Sequence, residues 1–316
     1  MLVPKPLFIE RIKKLFGEED DFEKFLEISK TKTEKSIRCN TLKISPSELK
    51  TKLENKGWEI SQPYPEHPEI MIVKSELKPG ELGKSIEHLL GYFYVQEISS
   101  MMPILALNPQ PQEIILDLCA SPGSKTTQLA TKMQNSGTII ANDKDIGRTS
   151  ILNANIERCS CSNVIITRHD AVILCEKLNK LGMKFDKILL DLPCSGEGNI
   201  RSNPKTFLMW NLKMIKKLSR MQKKIAGSAI KLLKPEGTLV YSTCTLTPEE
   251  NESVINFLVK NFPLEIQEVK LPLKCREGIK SWEKENFQQD INKTCRIYPQ
   301  DNNTEGFFIA KLRLKG

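Results

Sequence analysis

Two cysteines of this 316-residue chain each follow an apolar stretch that is typical of a β-strand. Cys194 lies in Asp-Leu-Pro-Cys-Ser-Gly (residues 191–196), and Cys244 lies in Ser-Thr-Cys-Thr (residues 242–245). A cysteine thiolate is a strong nucleophile, and nearby cations or a helix N-terminus can lower its pKa enough to populate it at neutral pH. Since both cysteines follow strands of one predicted sheet, we expect them at the same sheet edge, with a chemical role for the pair.

A third apolar stretch, residues 114–118, runs into the tight turn Cys-Ala-Ser-Pro-Gly-Ser-Lys at residues 119–125. In an open parallel sheet, ligands bind beyond the carboxyl ends of the strands, where the strand order reverses. Asp143 ends the next predicted strand, and a carboxylate at that position can accept hydrogen bonds from both ribose hydroxyls. Asp170 ends the strand after it and can reach an adenine amino group. These features together predict a ribonucleoside cofactor.

The turn lacks the glycine spacing of pyrophosphate-binding loops. It is not Gly-x-Gly-x-x-Gly, and it is not Gly-x-x-x-x-Gly-Lys-Ser/Thr, because Cys119 and Ala120 stand where the earlier glycine would be. S-adenosyl-methionine, which contains adenosine and no phosphate, therefore fits the sequence better than a nucleotide does. We expect Cys119 to make a packing or backbone contact, and Lys125 is a candidate cation for the thiols.

Asp191, three residues before Cys194, has two interpretations. Its carboxyl group could face the ring nitrogen of a bound pyrimidine and share a proton with it. Alternatively, it could simply cap the turn that follows its strand. We favour the first interpretation because the cofactor turn and both cysteines are expected at the same edge.

Basic residues are concentrated in the second part of the chain. Residues 1–100 hold 16 Lys/Arg and 17 Asp/Glu, whereas residues 101–316 hold 31 and 22. Between Arg201 and Lys234 there are ten basic residues and no acidic one. Six of them recur at helical spacing and so share one face: Lys213, Lys216, Lys217, Arg220, Lys223 and Lys224. A solvated helix face usually carries both signs, so this stripe predicts contact with a nucleic-acid backbone.

The composition is that of a globular protein, with 39% hydrophobic and 27% charged residues. No segment has the roughly 18 uncharged apolar residues that a membrane helix requires. The N-terminus lacks the apolar region of a signal peptide. The nine cysteines show no zinc-ligand spacing. We therefore expect no metal and no membrane association, and reduced thiols in the cytoplasm. Six of the cysteines are expected to be small buried hydrophobes: Cys39, Cys159, Cys161, Cys175, Cys275 and Cys295.

The order of apolar and helical stretches predicts the fold class. From about residue 111, strands at 114–118, 138–141, 163–167, 187–190 and 238–241 alternate with helices at 126–132, 147–158, 174–181 and 207–233. This alternation predicts a doubly wound α/β domain over 111–316, with a mostly parallel sheet. A final strand at 306–314 is expected to close one edge, and residues 274–304 to form a surface excursion. Residues 1–110 are predicted to form a smaller helical and α+β region, with a capped helix starting at Ser45.

These motifs together resemble the RNA cytosine-C5 methyltransferases of the Nop/Sun family. The matching segments are Arg38-x-Asn40-Thr-Leu, Tyr94-Val-Gln-Glu-x-Ser-Ser100, Asp117-Leu-Cys-Ala-Ser-Pro-Gly-Ser-Lys-Thr126, Asp191-x-Pro-Cys-Ser-Gly196, Tyr241-Ser-Thr-Cys-Thr245 with Pro248-Glu-Glu-Asn-Glu252, and Gly306-Phe-Phe-Ile-Ala-Lys311. They span nearly the whole chain in the family's order. The resemblance implies a Rossmann-like class I methyltransferase domain that uses S-adenosyl-methionine.

The resemblance also implies roles for individual residues. Cys244 looks like the nucleophile that attacks C6 of cytosine, and Cys194 like the residue that helps to release the product. In DNA cytosine methyltransferases the Pro-Cys cysteine is the nucleophile, so that analogy would select Cys194. Asp191 and Lys125 join the two cysteines as catalytic candidates. The implied cofactor site is formed by Cys119, Ala120, Ser121, Pro122, Gly123, Ser124, Lys125, Asp143, Arg148, Asp170 and Asp191.

The substrate implied is RNA, and tRNA is favoured over rRNA because the chain is compact and has no long basic extension. A non-catalytic RNA-binding scaffold is a second class of function. Against it, the two cysteines, Asp191 and Lys125 are all present. A nitrogen methyltransferase is a third. Such enzymes usually carry Asn/Asp-Pro-Pro-aromatic after the fourth strand, where this chain has Asp-Leu-Pro-Cys.

Overall fold

The computed structural model describes residues 4–316 of the chain. The helices are α1 (Pro6–Phe16), α2 (Glu19–Ser29), α3 (Pro46–Glu54), α4 (Glu81–Lys84), α5 (Ile86–Leu89), α6 (Ile98–Leu107), α7 (Ser124–Lys132), α8 (Ile146–Arg158), α9 (Ala171–Lys180), α10 (Thr206–Met209), α11 (Leu212–Ile230), α12 (Glu252–Asn261) and α13 (Pro299–Asn302), with short 3₁₀ helices at Glu197–Asn199 and Gln289–Lys293. The strands are β1 (Lys35–Cys39), β2 (Ile60–Ser61), β3 (Ile70–Val73), β4 (Phe93–Val95), β5 (Ile114–Asp117), β6 (Thr138–Asn142), β7 (Val164–Thr167), β8 (Phe185–Asp191), β9 (Leu233–Thr243), β10 (Leu264–Gln267), β11 (Arg276–Glu277), β12 (Ser281–Trp282), β13 (Glu285–Asn286), β14 (Cys295–Ile297) and β15 (Phe307–Leu314).

The first part of the chain contains a small antiparallel sheet with the strand order β2-β3-β1-β4. Helix α3 begins with the predicted capping box, because the Ser45 side chain accepts from the Glu48 backbone N–H and the Glu48 side chain accepts from the Ser45 N–H. The apolar side chains of this unit form their own buried cluster, including Ile37, Leu49 and Phe93. This is the α+β unit that the sequence predicts.

The large sheet has the strand order β11-β14-β15-β9-β8-β5-β6-β7, and β10 also pairs with β15. Strands β5 to β9 are parallel, and their order reverses between β5, which neighbours β6, and β8, which neighbours β9. The predicted doubly wound α/β fold is therefore confirmed. The carboxyl ends of β5 and β8 meet at this reversal, which is where such sheets bind ligands.

The end of the chain differs from its prediction. Strand β15 lies inside the sheet, between β9 on one side and β14 and β10 on the other, so it is not a closing edge strand. Residues 274–304 are not a surface excursion, because they supply β11 and β14 to the sheet and bury Trp282 and Ile291 in the main core. The buried residues of this segment are separated by polar ones at irregular spacing. The sequence therefore shows no helix or strand periodicity that would identify them as core residues.

The predicted helix at 207–233 is two helices followed by a strand. α10 ends at Met209, and the chain is extended at Trp210 and Asn211 before α11 begins. The Asn211 side chain accepts a hydrogen bond from the Met214 backbone N–H at 2.8 Å, which caps the new helix. Leu233 belongs to β9.

The N-terminal helices dock on the second part of the chain. The Phe8 ring meets the rings of Phe207 and Trp210 edge-to-face, with centroids 5.3 and 5.6 Å apart. Arg11 forms an ion pair with Glu249 at 2.7 Å. Helix α6 lies before the predicted boundary at residue 110, yet its side chains pack in the large-sheet core. The division at 110 remains a prediction.

Cys275 and Cys295 form a disulfide bond, so the expectation of reduced thiols is wrong for this pair. The pairing of β11 with β14 brings the two Cα atoms to 5.2 Å, within the span of a disulfide. The other seven cysteines are free. Within residues 4–316, no helix is long and apolar enough to cross a membrane.

Replacing Arg296 by Met should strongly destabilise the fold. The Arg296 guanidinium and the Glu252 carboxylate form an ion pair with almost no solvent exposure, and Arg296 also donates to the Leu246 carbonyl at 2.9 Å. Removal of the cation leaves a buried carboxylate without its partner, which costs about 3–5 kcal/mol. Urea unfolding measures this loss. As the matched control, Arg313→Met removes a half-exposed pair with Glu236 and should cost about 1 kcal/mol or less. Equal losses for the two variants would contradict the expectation.

Candidate active site

The cofactor turn connects β5 to α7 through backbone geometry that requires its glycine. Gly123 has φ +105°, a conformation that residues with side chains rarely adopt, and a Cβ there would meet Leu152 at 3.0 Å. The Ser121–Pro122 peptide bond is cis. The Arg148 guanidinium donates to the Ser121 carbonyl at 2.7 Å, and the Ser121 hydroxyl donates to the Arg148 carbonyl at 3.0 Å. The start of α8 thus holds the turn in place.

Two cavities meet at this edge of the sheet. The larger, about 700 Å³, is the active-site cleft; both candidate cysteines, Lys125 and Asp191 line it. The smaller, about 380 Å³, is lined by Asp143 and Asp170. Cys119, Arg148 and Pro193 line both cavities. A ligand could therefore extend from one cavity into the other.

The smaller cavity has the polar groups that a ribose needs. Asp143 is buried, and its Oδ2 atom has no hydrogen-bond partner, although the Arg148 guanidinium lies 3.4 Å away. A buried acceptor without a partner is costly, and ribose hydroxyls would supply the missing donors. Asp170 caps α9 by accepting from the Val172 and Ile173 backbone N–H groups. Only its Oδ1 atom is used in this cap.

The two candidate cysteines are in contact, with their sulfur atoms 3.2 Å apart. The hydrogen bond from Cys194 lowers the pKa of the Cys244 thiol, and Lys125 acts in the same direction against burial and Asp191. The same hydrogen bond, together with burial, raises the pKa of Cys194 well above its ordinary value. The pair is therefore asymmetric: the pKa of Cys244 is the lower of the two, so Cys244 ionises before Cys194. Burial also raises the pKa of Cys119, so that thiol stays protonated.

Lys125 and Asp191 form an ion pair beside the thiols, in which Lys125 is buried and Asp191 is partly exposed to the cleft. The Lys125 ammonium group lies 2.8 Å from Asp191 Oδ2 and donates to the Ser100 hydroxyl at 2.9 Å. The other carboxylate oxygen, Asp191 Oδ1, accepts from the Ser242 hydroxyl at 2.8 Å. Both of the oxygens of Asp191 are thus held, and its carboxylate does not cap the turn that follows β8.

A second group of side chains lies behind the cysteines. Glu250 accepts from the Ser195 backbone N–H at 3.2 Å and from the Gln222 side-chain amide at 2.8 Å. Burial raises the pKa of Glu250 to about 7. The Ser195 and Thr245 hydroxyls lie 2.7 Å apart, so the residue after each cysteine contacts its counterpart. These contacts fix both loops relative to each other.

Sequence reasoning missed several residues that complete the cleft. Gly198 donates its N–H to the Cys244 carbonyl at 2.9 Å, and any Cβ on Gly198 would lie 2.1 Å from the Gly306 carbonyl. Asn199 and Phe307 line the cleft near Cys244. The Asn199 side chain helps to lower the pKa of Cys244. Two of these residues could have been found from the quoted motifs: Gly198 lies two residues after the motif that ends at Gly196, and Phe307 lies within the quoted segment 306–311, to which no role was given.

The six basic residues of α11 do not share one environment. Lys213, Lys216, Lys217, Arg220 and Lys224 are exposed. Lys223 is half-buried, and its ammonium group donates to the Ser253 hydroxyl at 3.0 Å. Arg220 and Lys224 line the smaller cavity. The basic face of α11 therefore lies beside the smaller cavity at Arg220 and Lys224. From there it continues over exposed surface towards the N-terminus of the helix.

Comparison with known proteins finds a matching family model for each of the two parts of the chain. Residues 104–313 match the family model described as 16S rRNA methyltransferase RsmB/F, and residues 4–98 match the N-terminal domain of 16S rRNA methyltransferase RsmF. A curated relative from Pyrococcus abyssi, tRNA (cytosine(49)-C(5))-methyltransferase, is 42% identical over 96% of this chain and 94% of its own length. Ribosomal RNA small subunit methyltransferase F from Psychromonas ingrahamii is 37% identical, and the match covers 97% of this chain and 62% of the relative.

Solved structures agree. A methyltransferase homologue from Pyrococcus horikoshii superposes with a TM-score of 0.82 at 33% identity, covering 98% of this chain and 99% of the other. NSun6 from Pyrococcus horikoshii, solved with SFG, superposes with a TM-score of 0.81 at 29% identity, covering 96% and 97%. The resemblance noted from the sequence is confirmed, and the chain belongs to the RsmB/F family of S-adenosyl-methionine-dependent RNA methyltransferases.

Proposed function

We propose that this chain transfers a methyl group to C5 of cytosine in tRNA, with Cys244 as the nucleophile. The observation that carries the proposal is the asymmetric thiol pair. The two sulfur atoms lie 3.2 Å apart, the pKa of Cys244 is lowered and that of Cys194 is raised, and both cysteines line a cleft that adjoins the smaller cavity. A nitrogen methyltransferase has no use for a thiolate beside its substrate. Decay to a scaffold would not preserve this charge arrangement.

The difficulty of the reaction lies in the substrate, because C5 of cytosine is a weak nucleophile. In the proposed mechanism the Cys244 thiolate adds to C6, which gives C5 the electron density of an enamine carbon. Asp191 shares a proton with the ring nitrogen and so stabilises the charge that the addition places on the ring. Lys125 and Ser242 hold the Asp191 carboxylate in place for this task.

The cofactor residues fit S-adenosyl-methionine, which supplies an electrophilic sulfonium methyl group when bound. Asp143 would accept from its ribose hydroxyls, since its Oδ2 atom is buried without a donor. Asp170 would face the adenine side of the same cavity, and the 119–125 turn would run along the remainder. Arg148 keeps this turn in position.

Product release requires that a general base takes the C5 proton and that the sulfur–C6 bond breaks. The electrons of the C5–H bond restore the C5–C6 double bond, and those of the sulfur–C6 bond return to Cys244, which leaves as a thiolate. Cys194 carries the proton nearest to that sulfur and is the residue proposed to assist this step. Its hydrogen bond stabilises the departing thiolate as it does the resting one.

tRNA is preferred over rRNA because of how the relatives compare in identity. The relative named tRNA (cytosine(49)-C(5))-methyltransferase is 42% identical to this chain, whereas the rRNA methyltransferase F relative is 37% identical. The region 1–110 and the basic face of α11 are proposed to hold the RNA backbone.

The seven free cysteines favour a reducing compartment, and we propose the cytoplasm.

Cys194→Ala should trap the enzyme on its substrate. With the second thiol absent, elimination of Cys244 is slow, so an RNA adduct should accumulate that survives denaturing gel electrophoresis. Cys244→Ala should lower methyl transfer by at least about a thousandfold and form no adduct, as expected for loss of a covalent nucleophile. Cys175→Ala, a buried free thiol on α9, is the matched control and should behave as wild type. Full activity of Cys244→Ala would disprove the assignment.

The thiolate at Cys244 should be visible in its reactivity. The rate of alkylation by iodoacetamide rises with pH as the thiol deprotonates, so its midpoint at Cys244 should lie below 9.0 in the wild-type protein. Cys194→Ala removes the hydrogen-bond donor and Lys125→Met removes a cation, so each should move this midpoint upward. Peptide mass spectrometry follows Cys244 alone. A midpoint that stays in place in both variants would show that neither neighbour tunes the sulfur.

Replacement of Lys213, Lys216 and Lys217 together by Gln should weaken RNA binding. These three are exposed and lie outside both cavities, unlike Arg220 and Lys224. Each lost phosphate contact should reduce the slope of log K against log salt by about 0.7–0.9. A titration of binding against salt concentration measures the slope. The control replaces exposed Lys177, Lys180 and Lys260, which lie outside both proposed RNA-binding regions, by Gln. If both triple variants keep the wild-type slope, the RNA backbone lies elsewhere.

A further inference from the structure

A third cavity, about 880 Å³, lies between the N-terminal helices and the chain that follows the 3₁₀ turn at Glu197–Asn199. We call it the flanking pocket. Its lining side chains come from Pro4 and α1, from the end of α2 with the segment to residue 33, and from the 201–207 segment. Neither the cofactor nor the thiol chemistry uses this cavity.

The flanking pocket combines an apolar floor with cations. Ile9, Leu26 and Phe207 supply apolar surface, and Phe207 is fixed from behind by the Phe8 ring. Lys30 and Lys32 are exposed beside it. Among its described lining residues there is no Asp or Glu. A ligand that is flat and apolar at one end and anionic at the other would suit this surface.

Arg201 gives the flanking pocket a fixed wall. Its guanidinium donates to the Lys32 carbonyl at 2.9 Å, to the Thr31 hydroxyl at 2.9 Å and to the Thr304 carbonyl at 2.9 Å. These bonds tie the segment after α2 to the 201–207 segment. The Arg201 guanidinium therefore already has hydrogen-bond partners and serves as a wall of the cavity. The lining cations that remain to bind a ligand are Lys30 and Lys32.

The flanking pocket is continuous with the active-site cleft. Thr33 and Ser202 line both cavities. An RNA strand that delivers a cytosine to Cys244 must continue beyond the active-site cleft. The flanking pocket adjoins that cleft and so lies on one path by which the strand can leave it. Single-stranded RNA is recognised by placing unstacked bases on apolar surfaces while cations contact its phosphates.

We propose that the flanking pocket holds the unstacked base of an RNA nucleotide close to the target cytosine, with Lys30 and Lys32 on the adjoining phosphates. The proposal rests on the function proposed above. An apolar side chain of a protein partner would also fit the floor. The shared wall with the cleft and the two lysines favour RNA instead.

A cycle between protein and RNA variants tests the flanking pocket. Ser29→Trp fills the cavity from the end of α2, and Lys30→Gln/Lys32→Gln removes the cations while leaving the apolar floor. The probe is a transcript that the wild-type enzyme methylates, carrying one abasic nucleotide at either of the two positions on each side of the target. For the wild-type enzyme, one of these abasic sites should weaken binding about tenfold, as expected for a lost stacked base.

In Ser29→Trp, binding of the intact transcript should fall by a similar factor, and the same abasic site should then have no further effect. The lysine variant should bind more weakly with a flatter salt dependence, whereas Lys177→Gln/Lys180→Gln should match wild type. Thermal unfolding checks that each variant is folded. If binding by the wild-type enzyme is insensitive to every abasic site, or if the losses simply add, the proposal is overturned. So is an unchanged affinity of both folded pocket variants, the result expected if the cavity serves a protein partner.

The outcome can be separated from that of the proposed function. Methyl transfer by the wild-type enzyme and adduct formation by Cys194→Ala test the proposed function without reference to the flanking pocket. If the wild-type enzyme methylates RNA while the pocket variants bind normally, only the flanking pocket proposal fails. If the wild-type enzyme does not methylate RNA and Cys194→Ala forms no adduct, the proposed function fails first.

Discussion

The contact between two sulfur atoms 3.2 Å apart is the feature on which the rest of the site depends. Two thiolates at that distance would repel strongly in a buried cleft, and two thiols would leave no nucleophile. One proton shared unequally resolves this conflict. The hydrogen bond with Cys194 is the largest effect that lowers the pKa of Cys244, and Lys125 and Asn199 add to it against burial and Asp191. The same hydrogen bond and burial raise the pKa of Cys194, and the charge of Glu250 acts in that direction too.

The sheet makes that contact possible by aligning two loops. Strands β8 and β9 are parallel neighbours, and Asp191 is paired with Ser242 at their ends. Three side-chain contacts then join the loops in sequence: Asp191 with Ser242, Cys194 with Cys244, and Ser195 with Thr245. Gly198 and Gly306 close the other side, where only backbone atoms fit. A shift of one residue between the strands would separate all three pairs, so catalysis depends directly on strand register.

The sequence predicted the parallel sheet, the cofactor turn and the edge at which the cysteines meet, because these depend on local patterns of apolar residues and turn residues. It failed where long-range contacts decide the structure. Strand β15 reads as an edge strand, yet β14 and β10 pair with its outer side. Residues 274–304 look like surface because they contain many polar side chains. One of these, Arg296, is in fact buried in an ion pair with Glu252, and no periodic pattern of apolar residues in the sequence reveals such a pairing. Likewise, the stripe on α11 is basic in sequence, but Lys223 is held inward by Ser253.

Three buried carboxyl groups in this half of the molecule add a dependence on pH. Burial raises the pKa of Asp117, Glu197 and Glu250 to about 7 in each case, well above that of an exposed carboxyl group. These groups bind protons more readily in the folded protein than in the unfolded chain, so their contribution to stability is present at low pH and is lost as the pH rises through about 7. Of the three, Glu250 acts on the thiol pair, because its negative charge raises the pKa of Cys194. As Glu250 ionises with rising pH, it therefore helps to keep the proton on Cys194, the thiol proposed to assist product release.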